Sequence, residues 1–183
     1  MNIEKQSLDN VLLLKPKVFK DKRGYFFESY RDSVFKENNF NIEFVQDNEV
    51  FSKDAGVIRG LHYQLDKPQG KLIHVVSGAI TDVIVDIRLG SPDFGKSIKI
   101  RLDSVLHNMA YIPEGFAHGY LVLEESTIIQ YKCTNYYDSS SEFGIRWDDK
   151  DLNIFWDVTN PIISDRDKNL PQLKEQNNLP LYR

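Results

Sequence analysis

Between residues 72 and 134 the chain repeats one pattern: short runs in which apolar and polar side chains alternate, each stopped by glycine, proline or acidic residues. A period of two is what a strand with unlike faces requires, and no helical stripe produces it. The run at 72–76 closes at Ser77-Gly78, and the run at 79–88 sets Val83, Val85 and Ile87 against Asp82 and Asp86. After a turn-rich loop at 89–95, residues 97–102 set Ile98, Ile100 and Leu102 against Lys99 and Arg101. Runs at 109–112, 119–123 and 127–134 complete the series. Many short strands and little helix predict an all-β fold, a sandwich or a barrel.

The flanking segments are less regular. Residues 11–19 read as an opening strand broken or ended by Pro16, Asp21-Lys22-Arg23-Gly24 as a turn, and residues 25–30 as an aromatic strand. One or two helical turns are expected over 32–38, with Asp32 or Ser33 as N-cap and Val34 and Phe35 facing inward. The strand expected at 44–50 carries Gln46-Asp47-Asn48, a polar run that either lines a pocket or marks a solvated edge. Toward the C-terminus, Ile145, Trp147, Phe155 and Trp156 supply large apolar anchors, residues 162–167 form a short extended piece, and the polar tail has room for a short helix.

With 183 residues and 41% hydrophobic side chains, a single domain over 1–183 is expected. A formal net charge of −4 offers no basic field, so nucleic acid is not an expected partner. The one cysteine, Cys133, suits a reducing compartment, and the first residues lack the basic start and apolar run of a signal peptide. No run approaches the length of a membrane span. A cytoplasmic protein is therefore expected.

Arg59 and His62 stand in a strand-like run, Gly56 to Gln64, and Lys71 follows in its continuation, Gln69-Gly70-Lys71. An anion-binding guanidinium, a base and a cation make a useful set for enolate chemistry, although the same charges could belong to a surface strand. Two spacings add to them: Gly56 with His62 six positions on, closed by Gly78, and Pro113-x-Gly115-x-x-His118. Together they resemble the two motifs of the cupin superfamily, which implies a jelly-roll barrel with a pocket between its sheets. Metal-binding cupins carry a second histidine where Gln64 stands and a glutamate near the position of Lys71. An ammonium among ligands repels a divalent cation, and His62 and His118 alone are too few. A pocket without metal or other cofactor is expected.

Longer matches narrow the resemblance. Arg59-Gly60-Leu61-His62-Tyr63-Gln64, Gln69-Gly70-Lys71-Leu72, Ser91-Pro92-x-Phe94-Gly95, Ile112-Pro113-Glu114-Gly115-Phe116-Ala117-His118-Gly119, Arg146-Trp147-Asp148-Asp149 and Ser164-Asp165-Arg166-Asp167 resemble dTDP-4-dehydrorhamnose 3,5-epimerases, in order and over most of the chain. The resemblance implies inversion of the two carbons flanking the ketone of dTDP-4-dehydro-6-deoxy-D-glucose. The alternative is a relative that inverts one carbon of a related nucleotide 4-keto-deoxy sugar. On the family pattern His62 is the base, Lys71 steadies the enolate oxygen, Tyr131 is the proton donor and Asp167 is the carboxylate paired with His62. Such chemistry needs a base on one face of the sugar and an acid on the other. Arg23, Glu28, Gln46, Asp47, Asn48, Arg59, His118, Glu142 and Arg166 match substrate-binding positions, and Tyr137 matches an aromatic that stacks on thymine. The resemblance also implies a homodimer whose N-terminal strands, carrying Arg23 and Glu28, cross to the partner. His74 and His107 fit no motif and are expected to be structural or exposed.

Overall fold

The computed structural model describes residues 1–182. Its elements follow the alternating runs closely. The N-terminal part holds β1 (Asn2–Lys5), β2 (Leu12–Lys15), a hairpin of β3 (Phe19–Asp21) and β4 (Gly24–Phe26), and helix α1 (Asp32–Glu37). The body follows as β5 (Gln46–Ser52), β6 (Val57–Gln64), β7 (Lys71–Ser77), β8 (Ala79–Asp86), β9 (Ser97–Asp103), β10 (Met109–Ile112), β11 (Phe116–Val122) and β12 (Thr127–Cys133). Then come β13 (Glu142–Gly144), β14 (Ile162–Ile163), helix α2 (Asp165–Lys168) and a 3-10 turn at Leu173–Glu175.

One sheet runs β1-β2-β10-β7-β12-β5 and the other β13-β6-β11-β8-β9, with β14 added in parallel to β6. The interior between them holds an apolar core in which Ile73, Ile80, Ile84, Ile100, Ile112 and Ile129 meet. The polar site opens directly onto that core, since Ile73 and Ile129 also line its cavity.

Both sheets are also buried on their outer faces. Leu12, Leu14, Leu72, Met109 and Tyr111 on the first are covered by Phe35 of α1 with Tyr30 and Phe44. Ile58, Leu61, Val83 and Val85 on the second are covered by Ile145, Leu152, Trp156 and Leu173, a C-terminal lid over that sheet, whereas Phe155, expected among the anchors, is exposed. Burial of each large side chain contributes about 1.5–3 kcal/mol. Because β8 is enclosed on both sides, the face carrying Asp82 and Asp86 is not solvated: it points between the sheets, and both carboxylates are fully buried.

Several local expectations shift. Strand β1 pairs with β2 although the sequence gives it no clear alternation. Helix α1 is capped by Arg31, without a side-chain hydrogen bond, and only Phe35 on it is buried. The aromatic strand at 25–30 shortens to β4, and residues 165–168 form α2 in place of an extended piece. All six residues of β3 and β4 are exposed, and the hairpin carries Phe19, Tyr25 and Phe26 outward. Phe27, just beyond the hairpin, and Tyr25 within it pack on His107 at ring distances of 4.7 and 4.4 Å, and Phe27 edges against His74 at 5.6 Å. These two histidines are structural, and burial lowers both from the usual imidazole range.

Candidate active site

A regular strand would point Arg59 and His62, three residues apart, to opposite faces. They share the interior because β6 bulges: His118 pairs with His62 and Tyr120 with Arg59, so Gly60 and Leu61 together oppose Gly119 alone. Gly60 sits at φ +102°, and a Cβ there would lie 2.6 Å from the carbonyl oxygen of His118. Only glycine permits β6 and β11 to approach so closely.

The resulting cavity, about 530 Å³, is lined by Arg59, His62, His118 and Tyr120 from the second sheet and by Lys71 and Tyr131 from the first. Arg166, Asp167 and Ser164 close it from α2 and its cap. Lys71 and Tyr131 lie on the neighbouring strands β7 and β12, with Cys133 registered against Lys71. His62 and Tyr131 therefore face one space from opposite sheets.

Asp167 reaches His62 because Ser164 caps α2, its hydroxyl accepting the Asp167 N–H at 3.1 Å. The carboxylate then takes two bonds, one to His62 Nε2 at 2.8 Å and one from the Gly60 N–H at 3.1 Å. Burial pushes this carboxyl upward, but His62 and the Gly60 amide outweigh it and hold it below the usual range. Enclosure lowers the Lys71 ammonium from its ordinary range, against the opposing pull of Cys133, Glu142 and Asp82. Burial raises the Tyr131 phenol, which keeps its proton on the oxygen.

The mouth is tied by a chain of polar contacts. Glu142 accepts from Arg166 at 2.6 Å and from the Tyr137 hydroxyl at 2.9 Å. The Tyr137 N–H donates to Gln46 at 2.9 Å, and Gln46 donates to Asn48 at 3.0 Å. Glu142 also lines a small recess with His62, Lys71 and His118. Three expected binding residues stand elsewhere. Asp47 alternates to the outer face of β5, where it pairs with Lys132 at 3.0 Å, so its carboxylate does not join Gln46 and Asn48. Arg23 pairs with Asp21 in the exposed hairpin turn, and Glu28 pairs with Arg31 on the surface; neither lines the cavity of its own chain. The physical reason is the hairpin's outward course.

Tyr120, Ser164 and Asp82 belong to the site or its support and were not singled out by sequence reasoning. Tyr120 follows His118 by two, so period-two reading of β11 would have found it. The donor set does not fit a metal. Gln64 spends its amide on the carbonyls of Lys67 and Tyr136 at 2.7 and 3.1 Å, and its oxygen on the Asp138 N–H at 2.9 Å. The imidazoles of His62 and His118 are each engaged by a carboxylate, and Lys71 adds a cation.

Two facing antiparallel sheets with a polar site between them define the cupin-like jelly-roll class. The sequence model of the family described as dTDP-4-dehydrorhamnose 3,5-epimerase matches residues 5–175. A dTDP-4-dehydrorhamnose 3,5-epimerase of Shigella flexneri is 48% identical over 171 residues, covering 92% of this chain and 94% of that protein. One from Methanothermobacter thermautotrophicus is 45% identical over 181 residues, covering 97% and 96%. The crystal structure of the dTDP-6-deoxy-D-glucose-3,5-epimerase from Legionella pneumophila, in complex with dTDP-4-keto-L-rhamnose, superposes with a TM-score of 0.96 at 40% identity, covering 100% of this chain and 98% of that one. The chain belongs to the dTDP-4-dehydrorhamnose 3,5-epimerase family.

Proposed function

We propose that this protein inverts C3 and C5 of dTDP-4-dehydro-6-deoxy-D-glucose to give dTDP-4-dehydro-L-rhamnose. The observation that carries the reading is the entry of His62 and Tyr131 into one cavity from opposite sheets, with Lys71 on the strand beside Tyr131. Asp167 accepts the Nε2–H of His62, so Nδ1 keeps its lone pair and acts as the base. It takes the hydrogen from a carbon next to the ketone, and the electron pair moves onto the carbonyl oxygen as an enolate. Lys71 steadies that oxygen; one preorganised donor of this kind is worth about 10²–10³ in rate. The Tyr131 phenol returns a proton from the other side, which inverts the carbon. The His62 proton and the phenolate then exchange with solvent, and the cycle repeats at the second carbon.

Arg59 and Arg166 suit the diphosphate, since guanidinium forks match phosphate oxygens. Tyr137, Gln46 and Asn48 at the mouth suit the thymine end, with His118 and Glu142 deeper toward the sugar. The working form is a homodimer in which the N-terminal hairpin brings Arg23 and Glu28 to the partner's site. Its support is the outward display of Phe19, Tyr25 and Phe26, which are 53, 57 and 66% exposed. The product is a precursor for rhamnose of cell-surface polysaccharide, made in the cytoplasm. Among the described residues no helix is long and apolar enough to cross a membrane.

The test is incubation of the purified protein with the dTDP-4-keto sugar in D₂O, read by proton NMR. Deuterium at both C3 and C5 of an L-configured product is the expected result; deuterium at one carbon alone refutes the two-carbon reading.

A further inference from the structure

A second histidine–carboxylate pair stands beside the first. His118 is registered directly against His62, and its Nε2 lies 2.6 Å from Oδ1 of Asp82 on β8. Asp82 is fully buried and does not line the cavity, so no substrate touches it. The two pairs differ at the second carboxylate oxygen. In Asp167 that oxygen accepts the Gly60 N–H, and Arg166 adds a favourable charge. In Asp82 it is buried without any hydrogen-bond partner.

That difference decides where the protons sit. A bare carboxylate with one hydrogen bond in an enclosed interior is a state folded proteins avoid unless a cation is bonded to it. The nearby charged and titratable groups are Lys71 on β7, Glu142 on β13, which shares a recess with His118, Tyr120 beside His118 on β11, Arg59 and His62 on β6 and Tyr131 on β12; none of them bonds Asp82. The Asp82–His118 pair is therefore neutral as a unit. The shared proton can sit on Oδ1 or on Nε2. In either form the other ring nitrogen, Nδ1, carries a hydrogen. Nδ1 makes no hydrogen bond to any described residue, and His118 lines the cavity beside Lys71.

We infer that Asp82 is a positioning residue that keeps a hydrogen on Nδ1 of His118, making His118 a second donor, beside Lys71, to the enolate oxygen. The two histidines thus divide the work by the environment of their carboxylates: His62 shows the cavity a lone pair and His118 shows it an N–H. The role in turnover rests on the proposed function, whereas the protonation of His118 does not.

The experiment is ring-nitrogen NMR of the full-length protein labelled with ¹⁵N-histidine, without substrate at neutral pH, joined to kinetics of Asp82→Ala, His118→Ala and the double variant. A protonated Nδ1 on His118 is expected; an unprotonated Nδ1 overturns the inference. Asp82→Ala is expected to lower kcat by about 10²–10³ while KM moves by less than about threefold. In the His118→Ala background the same change is expected to cost nothing further. A full second loss there would show that Asp82 acts independently of His118 and would also overturn the inference. Should Asp82→Ala fail to fold, the NMR of the unaltered protein decides. Absence of turnover by the unaltered protein would count against the substrate reading and leave the NMR result standing.

Discussion

Asp167→Asn tests the base assignment by moving one proton. The carboxylate sits between two groups with different demands: the Gly60 N–H at 3.1 Å is a fixed donor, while His62 Nε2 at 2.8 Å can donate or accept. An asparagine in the same rotamer must turn its oxygen toward Gly60, because the opposite orientation sets two N–H groups head to head. Its NH₂ then faces Nε2 and donates to it. His62 is driven to the tautomer with hydrogen on Nδ1, and the nitrogen facing the sugar is no longer basic. A positioned general base is worth about 10²–10⁴ in rate, so kcat is expected to fall by that factor.

The fold survives the change. Both hydrogen bonds persist but lose their charge; bonds to charged groups are worth about 1.5–3 kcal/mol and neutral ones about 1. The total loss is about 1–4 kcal/mol, a drop in Tm of roughly 3–15 °C for a chain of this size. The acid limb supplies an independent check. Asp167 is held below its unfolded value of about 3.9. Its stabilisation is therefore complete above that pH and is lost as pH falls through the lower folded value. The gap in Tm between parent and variant should narrow only below about pH 4. The assays are steady-state turnover, thermal melts across pH, and ¹⁵N NMR of His62. A variant that keeps kcat within about threefold, or shows an unprotonated Nδ1 on His62, refutes the reasoning.

Three other substitutions separate the remaining parts. Lys71→Met should lower kcat by about 10²–10³ and leave Tm equal or higher, because burial already disfavours the ammonium; a fall in Tm beyond roughly 5 °C would show that Lys71 is a structural cation. Tyr131→Phe should cut product formation by about 10²–10⁴ while C–H exchange of substrate with D₂O continues, since His62 is untouched; loss of exchange along with product contradicts the division of base and acid. Gly60→Ala should cost about 2–6 kcal/mol, from strain at φ +102° and from a Cβ 2.6 Å from the His118 carbonyl oxygen. A melt within about 3 °C of the parent would show that β6 and β11 are free to separate there.

The strands were legible where one alternation ran long enough to be counted. β8 and β9 lie where Val83, Val85 and Ile87, and then Ile98, Ile100 and Leu102, predict them. The family resemblance also named His62, Lys71, Tyr131 and Asp167 as one set, and these residues, drawn from four separate elements, line one cavity. Alternation does not say which face is interior when both are enclosed. Alternation separated the valine face of β8 from Asp82 and Asp86, but it did not show that the valines pack under the C-terminal lid while Asp82 points between the sheets. The same ambiguity hid Asp47, which strict period two on β5 sends to the face opposite Gln46 and Asn48. β1 was invisible because its pairing to β2, rather than its own pattern, holds it in place.

The bulge at Gly60-Leu61 is a different kind of omission, and the chemistry depends on it. Read as a straight strand, β6 cannot turn Arg59 and His62 to the same side, so a substrate held by one would lie across the sheet from the other. The extra residue arises from pairing with β11, more than fifty positions away, and is registered only where His118 meets His62 and Tyr120 meets Arg59. The same bulge presents the Gly60 N–H to Asp167, which fixes one carboxylate oxygen and leaves the other to hold the His62 tautomer. One backbone irregularity thus aims the guanidinium, aims the imidazole and, in the proposed mechanism, selects the imidazole nitrogen that acts as base. Asp82 and His118 meet on regular strands with no comparable amide, and this is why the two histidine–carboxylate pairs, close neighbours on one sheet, present opposite hydrogen-bonding faces to the same cavity.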